Sequence, residues 1–183
     1  MAEYGKFTWK ILELLAAGTL LGFTKDKGLR RELLDECDRI WYEMDHKQLF
    51  RFLERLRLKK YVEFVKNKQG IEKIHLTNKG KARFLVYQFK NISLKKAKKW
   101  DKKWRMVLFD IPESKKKIRD SLRRKLKGLG FLEFQKSVFI YPYACRDEIN
   151  FVINFWDIPE NVYYIEAPIA PDQTLRKHFK LQI

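Results

Sequence analysis

With 183 residues, 45% of them apolar and 15% aromatic, the chain can bury a real core, which excludes global disorder. Its formal net charge of +17 points to polyanionic partners, nucleic acid ahead of an anionic membrane surface. The charge is uneven, because residues 93–136 hold 16 Lys/Arg against 5 Asp/Glu, whereas residues 137–183 hold 4 against 6.

Phe7, Ile11, Leu14 and Leu15 recur at helical spacing, Leu20 and Leu21 extend the apolar surface, and Gly22 closes it. The most apolar stretch, Ile11 to Phe23, is too short to span a bilayer, and Glu13 interrupts it as a membrane span or secretory leader. A soluble, cytoplasmic protein without a membrane partner is expected. Leu29, Leu33, Leu34, Cys37, Ile40 and Trp41 mark a second helix over 29–42. Asp45 caps a third over 46–59, buried through Leu49, Leu53 and Leu56.

The period then changes. Tyr61 to Val65 alternates like a strand, Asn67 to Gly70 is a turn, and Ile71 to Leu76 returns as a second strand. Leu76-Thr-Asn-Lys-Gly80 opens a fourth helix, with Thr77 as its cap. This order, and the LTNKG step within it, resembles winged-helix transcription regulators. In such a module the third helix enters the major groove and the wing touches the DNA backbone. Lys47, Arg51 and Arg55 share one face of that helix with Gln48 beside them, and Lys66 and Lys68 sit at the wing tip. These are side chains that read base edges or bind phosphate. A solvated helix face, or a protein-interaction module, explains the same residues without DNA.

Residues 93–104 form a basic linker with two tryptophans, Trp100 and Trp104. It is either a solubilising joint or a strip of phosphate contacts. Beyond it, residues 105–183 read as strand, helix, two strands broken near Lys136, helix and strand. Arg105–Ile111 is the first strand, and Pro112 and Glu113 start the first helix. That helix buries Ile118, Leu122, Leu126 and Leu129 and ends at Gly128 and Gly130. Asp147 caps the second helix, and Asn161 to Ile165 is the last strand. The order βαββαβ specifies a ferredoxin-like sandwich with both helices on one face of the sheet. The class is α+β, a winged helix-turn-helix over 1–92 joined by the 93–104 linker to a ferredoxin-like domain over 105–183.

WRMVLFDIPE, the basic helix, GLGFLEFQKSVFIYP and the closing YYIEA resemble the central domain of PaaX-type transcriptional repressors, which also begin with a winged helix. That domain is itself similar to the small ferredoxin-like CRISPR-associated endonuclease and spacer-integration subunit. The resemblance implies a homodimeric repressor of double-stranded DNA, with a small-molecule effector left open, since any such role rests on a part of the family beyond this domain. The resembled repressors continue into a further C-terminal domain, which this sequence is expected to lack.

The alternative is a metal-dependent nuclease or integration-like subunit with a fused winged helix. In the CRISPR-associated family the acid ending the first strand is proposed to bind a divalent metal, paired across a dimer. Asp110 is the matching position here, and Gln135, Ser137 and Phe139 match the QxSVF-like strand. Mg²⁺ wants several oxygen ligands, and only Glu113 lies close by in sequence. As a turn residue, Asp110 would instead accept backbone amides, and no cofactor would be needed. Lys116, Arg119, Arg123 and Lys127 form one stripe of the basic helix, with no acid among Arg123, Arg124, Lys125 and Lys127 to balance it, which favours a phosphate partner. Cys37 and Cys145 lack CxxC spacing and read as reduced thiols, and His46, His75 and His178 are too scattered for a metal cluster.

Overall fold

The computed structural model describes residues 12, 15–16, 46–66, 72–97 and 99–181. The rest of the first two predicted helices, the 67–70 turn and Cys37 lie outside the described residues. The chain divides into two compact units, Met1–Lys90 and Asn91–Ile183. Among the described residues no helix is long and apolar enough to cross a membrane.

In the first unit, helix α1 (His46–Leu58) leads into an antiparallel hairpin of β1 (Val62–Lys66) and β2 (Glu72–Leu76), and helix α2 (Asn78–Asn91) closes it. Leu56, Val62, Leu76 and Phe84 meet in one core. Leu12 lies fully buried in the same core, and Leu15 and Ala16 pack against it; of the apolar period read over this stretch, only Leu15 falls among the described residues.

The hairpin-to-helix junction explains the LTNKG step. The Thr77 hydroxyl donates to the Lys60 carbonyl at 2.6 Å and accepts the Gly80 amide at 3.0 Å, which is an N-cap bond. The Thr77 amide bonds the Tyr61 carbonyl. Helix and hairpin approach so closely here that a Cβ on Gly80 would fall 2.0 Å from that same carbonyl oxygen.

In the second unit four strands form one antiparallel sheet: β3 (Trp104–Phe109), β4 (Leu132–Gln135), β5 (Val138–Tyr141) and β6 (Val162–Ala167), in the order β4-β5-β3-β6. A 3₁₀ turn (Glu113–Lys115) and helix α3 (Lys116–Gly128) join β3 to β4, and helix α4 (Arg146–Phe155) joins β5 to β6. This is the predicted βαββαβ order. Residues 136 and 137 break the apolar run into β4 and β5.

Side chains alternate across the sheet. Val107, Phe109, Phe139 and Tyr141 are buried on one face, with Phe109 stacked on Phe139 at 5.9 Å. The helices offer that face Leu122 and Leu126, and Ile149, Val152 and Ile153, all buried. Helix α3 ends in a Schellman motif, because the Gly130 amide bonds Lys127 and the Phe131 amide bonds Leu126. Gly130 takes the left-handed conformation that the motif requires, with φ +93. Cys145, not Asp147, is the N-cap of α4, and Asp147 stands in the first turn, where a carboxylate suits the helix dipole.

The opposite face carries an element that the sequence pattern did not reveal. A short helix, α5 (Gln173–Phe179), lays Leu175 and Phe179 over Trp104, Ile140, Met106 and Leu132. Further along this face Tyr163 is 61% exposed and Ile165 42%. Half of the face is therefore covered and half is not.

Candidate nucleic-acid interface

The predicted base-reading face falls on α1. Arg51 and Arg55 are exposed, on the side away from buried Leu56. Lys47 and Gln48 belong to the first turn of the same helix, Lys66 ends β1, and Lys68 lies outside the described residues. Arg57, unremarked in the sequence, pairs with Glu54 at 2.9 Å and sits 5.6 Å over the Phe64 ring, so it ties α1 to the hairpin.

The stripe on α3 is present but not bare. Lys116 and Arg119 converge on Glu113 at 3.4 and 2.7 Å, and Arg119 also donates to the Ile111 carbonyl. Arg123 and Lys127 converge on Glu133, each at 2.5 Å. Glu113 is held below its usual pKa, mainly by the hydrogen bond from Arg119. Glu133 is held below its own by Lys127 and then Arg123. The balancing acid for Arg123 and Lys127 comes from the next strand, where helix periodicity cannot reveal it.

Asp110 is exposed at the end of β3. Its backbone is pinned on both sides, the amide donating to the Asn161 carbonyl and the carbonyl accepting Asn161 Nδ2 at 3.1 Å. Its carboxylate has no hydrogen bond or ion pair among the described residues. Nearby Glu113 is engaged by two cations, so one chain offers a single free carboxylate where a hard cation wants several oxygens. Among the described residues no cluster of three or more His, Cys, Asp or Glu could hold a metal. Of the matched strand, Gln135 is exposed, Ser137 supplies a carbonyl to the Phe109 amide, and Phe139 is core.

The linker is built into the second unit. Trp104 is fully buried, Trp100 packs on it at 4.9 Å, and their indole N–H groups donate to Asp172 and the Lys103 carbonyl. Arg176 covers the Trp100 ring at 5.2 Å. Arg105, only 4% exposed, donates to both carboxylate oxygens of Asp101 at 2.6 and 2.5 Å and to the Lys103 and Pro142 carbonyls. The Arg105 guanidinium holds the Asp101 carboxyl well below the usual range, at about 2. Around this turn Lys95, Lys96, Lys99, Lys102 and Lys103 are all exposed. Cys145 is free and buried, and burial pushes its thiol up to about 11, so it is no nucleophile at neutral pH.

No curated protein matches the chain. The family comparison covers somewhat under half of it, from within the linker to within α5, and so includes the Trp100–Trp104 clasp. Residues 97–178 match the family model of the PaaX protein central Cas2-like domain.

Proposed function

We propose that this protein is a DNA-binding transcription regulator of PaaX-like type, a repressor acting as a homodimer on double-stranded DNA. The observation that carries the reading is the match of residues 97–178 to the PaaX central domain. The order helix, hairpin, helix in the first unit supports it, because it fits the third helix, wing and closing helix expected of a winged helix. In this reading Arg51 and Arg55, with Lys47 and Gln48, face the major groove, and Lys66 and Lys68 contact phosphate.

Bound fragments selected from genomic DNA supply the operator for the test. Arg51→Ala and Arg55→Ala are expected to weaken that operator by about 1–3 kcal/mol per lost base contact, measured by fluorescence anisotropy, while non-specific affinity falls much less. Unchanged operator affinity in both variants would remove α1 from the interface. Metal-dependent cleavage of DNA or RNA that vanishes in Asp110→Ala would replace the whole reading with the nuclease.

In this reading the second copy would pack on the sheet face around exposed Tyr163 and Ile165. Sedimentation equilibrium is expected to give a dimer at micromolar concentration that Tyr163→Glu dissociates. A monomer that stays monomeric on DNA would refute this.

A further inference from the structure

We propose that the second unit grips the DNA backbone through its lysine-bearing segment 95–103 and not through the α3 stripe. The proposal rests on the DNA-binding reading above and names the surface that reading leaves open. Lys116, Arg119, Arg123 and Lys127 are already engaged by Glu113 and Glu133. A phosphate would have to compete with those carboxylates for each cation.

Segment 95–103 is different in three respects. Lys95, Lys96, Lys99, Lys102 and Lys103 are exposed, and none has an ion pair among the described residues. The segment contains one acid, Asp101, and its half-exposed carboxylate is engaged by both terminal nitrogens of buried Arg105. Among its described residues the lysines are therefore left without a carboxylate of their own, because the one acid is paired with Arg105. Its turn is also already ordered, through Trp100 to the Lys103 carbonyl, Arg105 to the same carbonyl, and the Lys103 amide to Asp101. The backbone around Lys102 and Lys103 therefore has little conformational freedom left to lose on binding.

An anionic membrane would draw the same charges, but it wants aromatic side chains turned outward. Here Trp104 is buried and Trp100 packs on it beneath Arg176. The geometry therefore favours a nucleic-acid backbone.

The experiment compares the salt dependence of duplex binding by the full chain and two variants. The first changes Lys95, Lys96, Lys99, Lys102 and Lys103 to Gln, and the second changes the equally exposed Lys115, Lys117, Lys136, Lys177 and Lys180 to Gln. The slope of log affinity against log salt is expected to shrink by about two to four in the first, at roughly 0.9 per lost phosphate contact, and by less than about one in the second. The triple Lys95→Gln, Lys96→Gln, Lys99→Gln leaves the Trp100–Trp104 turn intact and should lose about half as much. Equal losses in the two quintuple variants would reduce the effect to net charge and overturn the proposal. So would an unchanged slope in the first, or a first variant that loses only binding to phosphatidylserine vesicles. A wild-type chain that fails to bind duplex DNA even at low salt would instead sink the DNA-binding reading, and this proposal with it.

Discussion

Gly80→Ala is expected to destabilise the first unit by about 3 kcal/mol, near the top of the range for overpacking a tight contact. In an open helix the same change is favourable by up to about 1 kcal/mol, so the sign of the effect is diagnostic. The new methyl would meet backbone, with the Tyr61 carbonyl oxygen at 2.0 Å and its carbon at 2.9 Å, so no rotamer can relieve it. Relief requires α2 to lift away from the start of the hairpin. That movement breaks the Thr77 amide bond to Tyr61 and strains the hydroxyl bond to Lys60. Thr77→Ala, which removes the cap and the hydroxyl bond to Lys60 but adds no clash, should cost about 1–2 kcal/mol. Hydrogen exchange resolved by peptide separates the units, and the loss should fall on β1, β2 and α2 with the second unit unchanged. An unaffected or stabilised first unit would show that the contact is not formed.

For the second unit the largest expected loss follows Asp101→Asn. The variant leaves the Arg105 guanidinium buried with only Glu166, 3.9 Å away, as a counter-charge. Removing one member of a fully buried pair costs about 3–5 kcal/mol; because Asp101 is half exposed, about 2 kcal/mol is expected. Arg105→Met should cost less than breaking the pair, since an apolar side chain of similar length removes the charge together with its need for a partner. The pH dependence gives a second readout. The carboxyl is held at about 2 in the folded chain against 3.8 in its ordinary state, so its contribution is fully present above the ordinary value. It is lost as pH falls through about 2. Glu113, Glu133 and Asp172 are shifted in the same direction and give both proteins some acid sensitivity. The gap between wild type and variant is therefore expected to be constant from pH 7 to about 5 and to close towards pH 2. A gap that widens in acid would contradict the assignment.

How much of this was legible before the structure depends on how far apart the partners lie in sequence. Strands β3 and β5 and helix α3 follow from local period, because Val107 and Phe109, or Leu122 and Leu126, announce their own buried faces. The hairpin of the first unit follows in the same way from Tyr61 to Val65. Helix α5 did not, since seven residues with two apolar anchors, Leu175 and Phe179, make a weak periodic signal. What gives α5 its place is a surface some seventy positions earlier, headed by Trp104. The spacing of those two anchors after Asp172 was the available clue. The charged groups follow the same rule. The α3 stripe was visible as a stripe, whereas its neutralisation depends on Glu133 arriving from β4. Asp101 carries no signal of its own among the lysines of the linker, and only the register that buries Arg105 gives it a task.

The sheet has two unlike rims. At one, β4 is four residues long, its register slips between Glu133 and Gln135, and Lys136 follows directly. Such a rim offers an incoming chain few aligned amides and carbonyls. At the other, β6 runs six residues in unbroken register with β3, and its exposed Tyr163 and Ile165 alternate with less exposed neighbours. An incoming fifth strand, whether from another copy in a crowded cell or from a partly folded chain during synthesis, would find the longer and more regular template along β6.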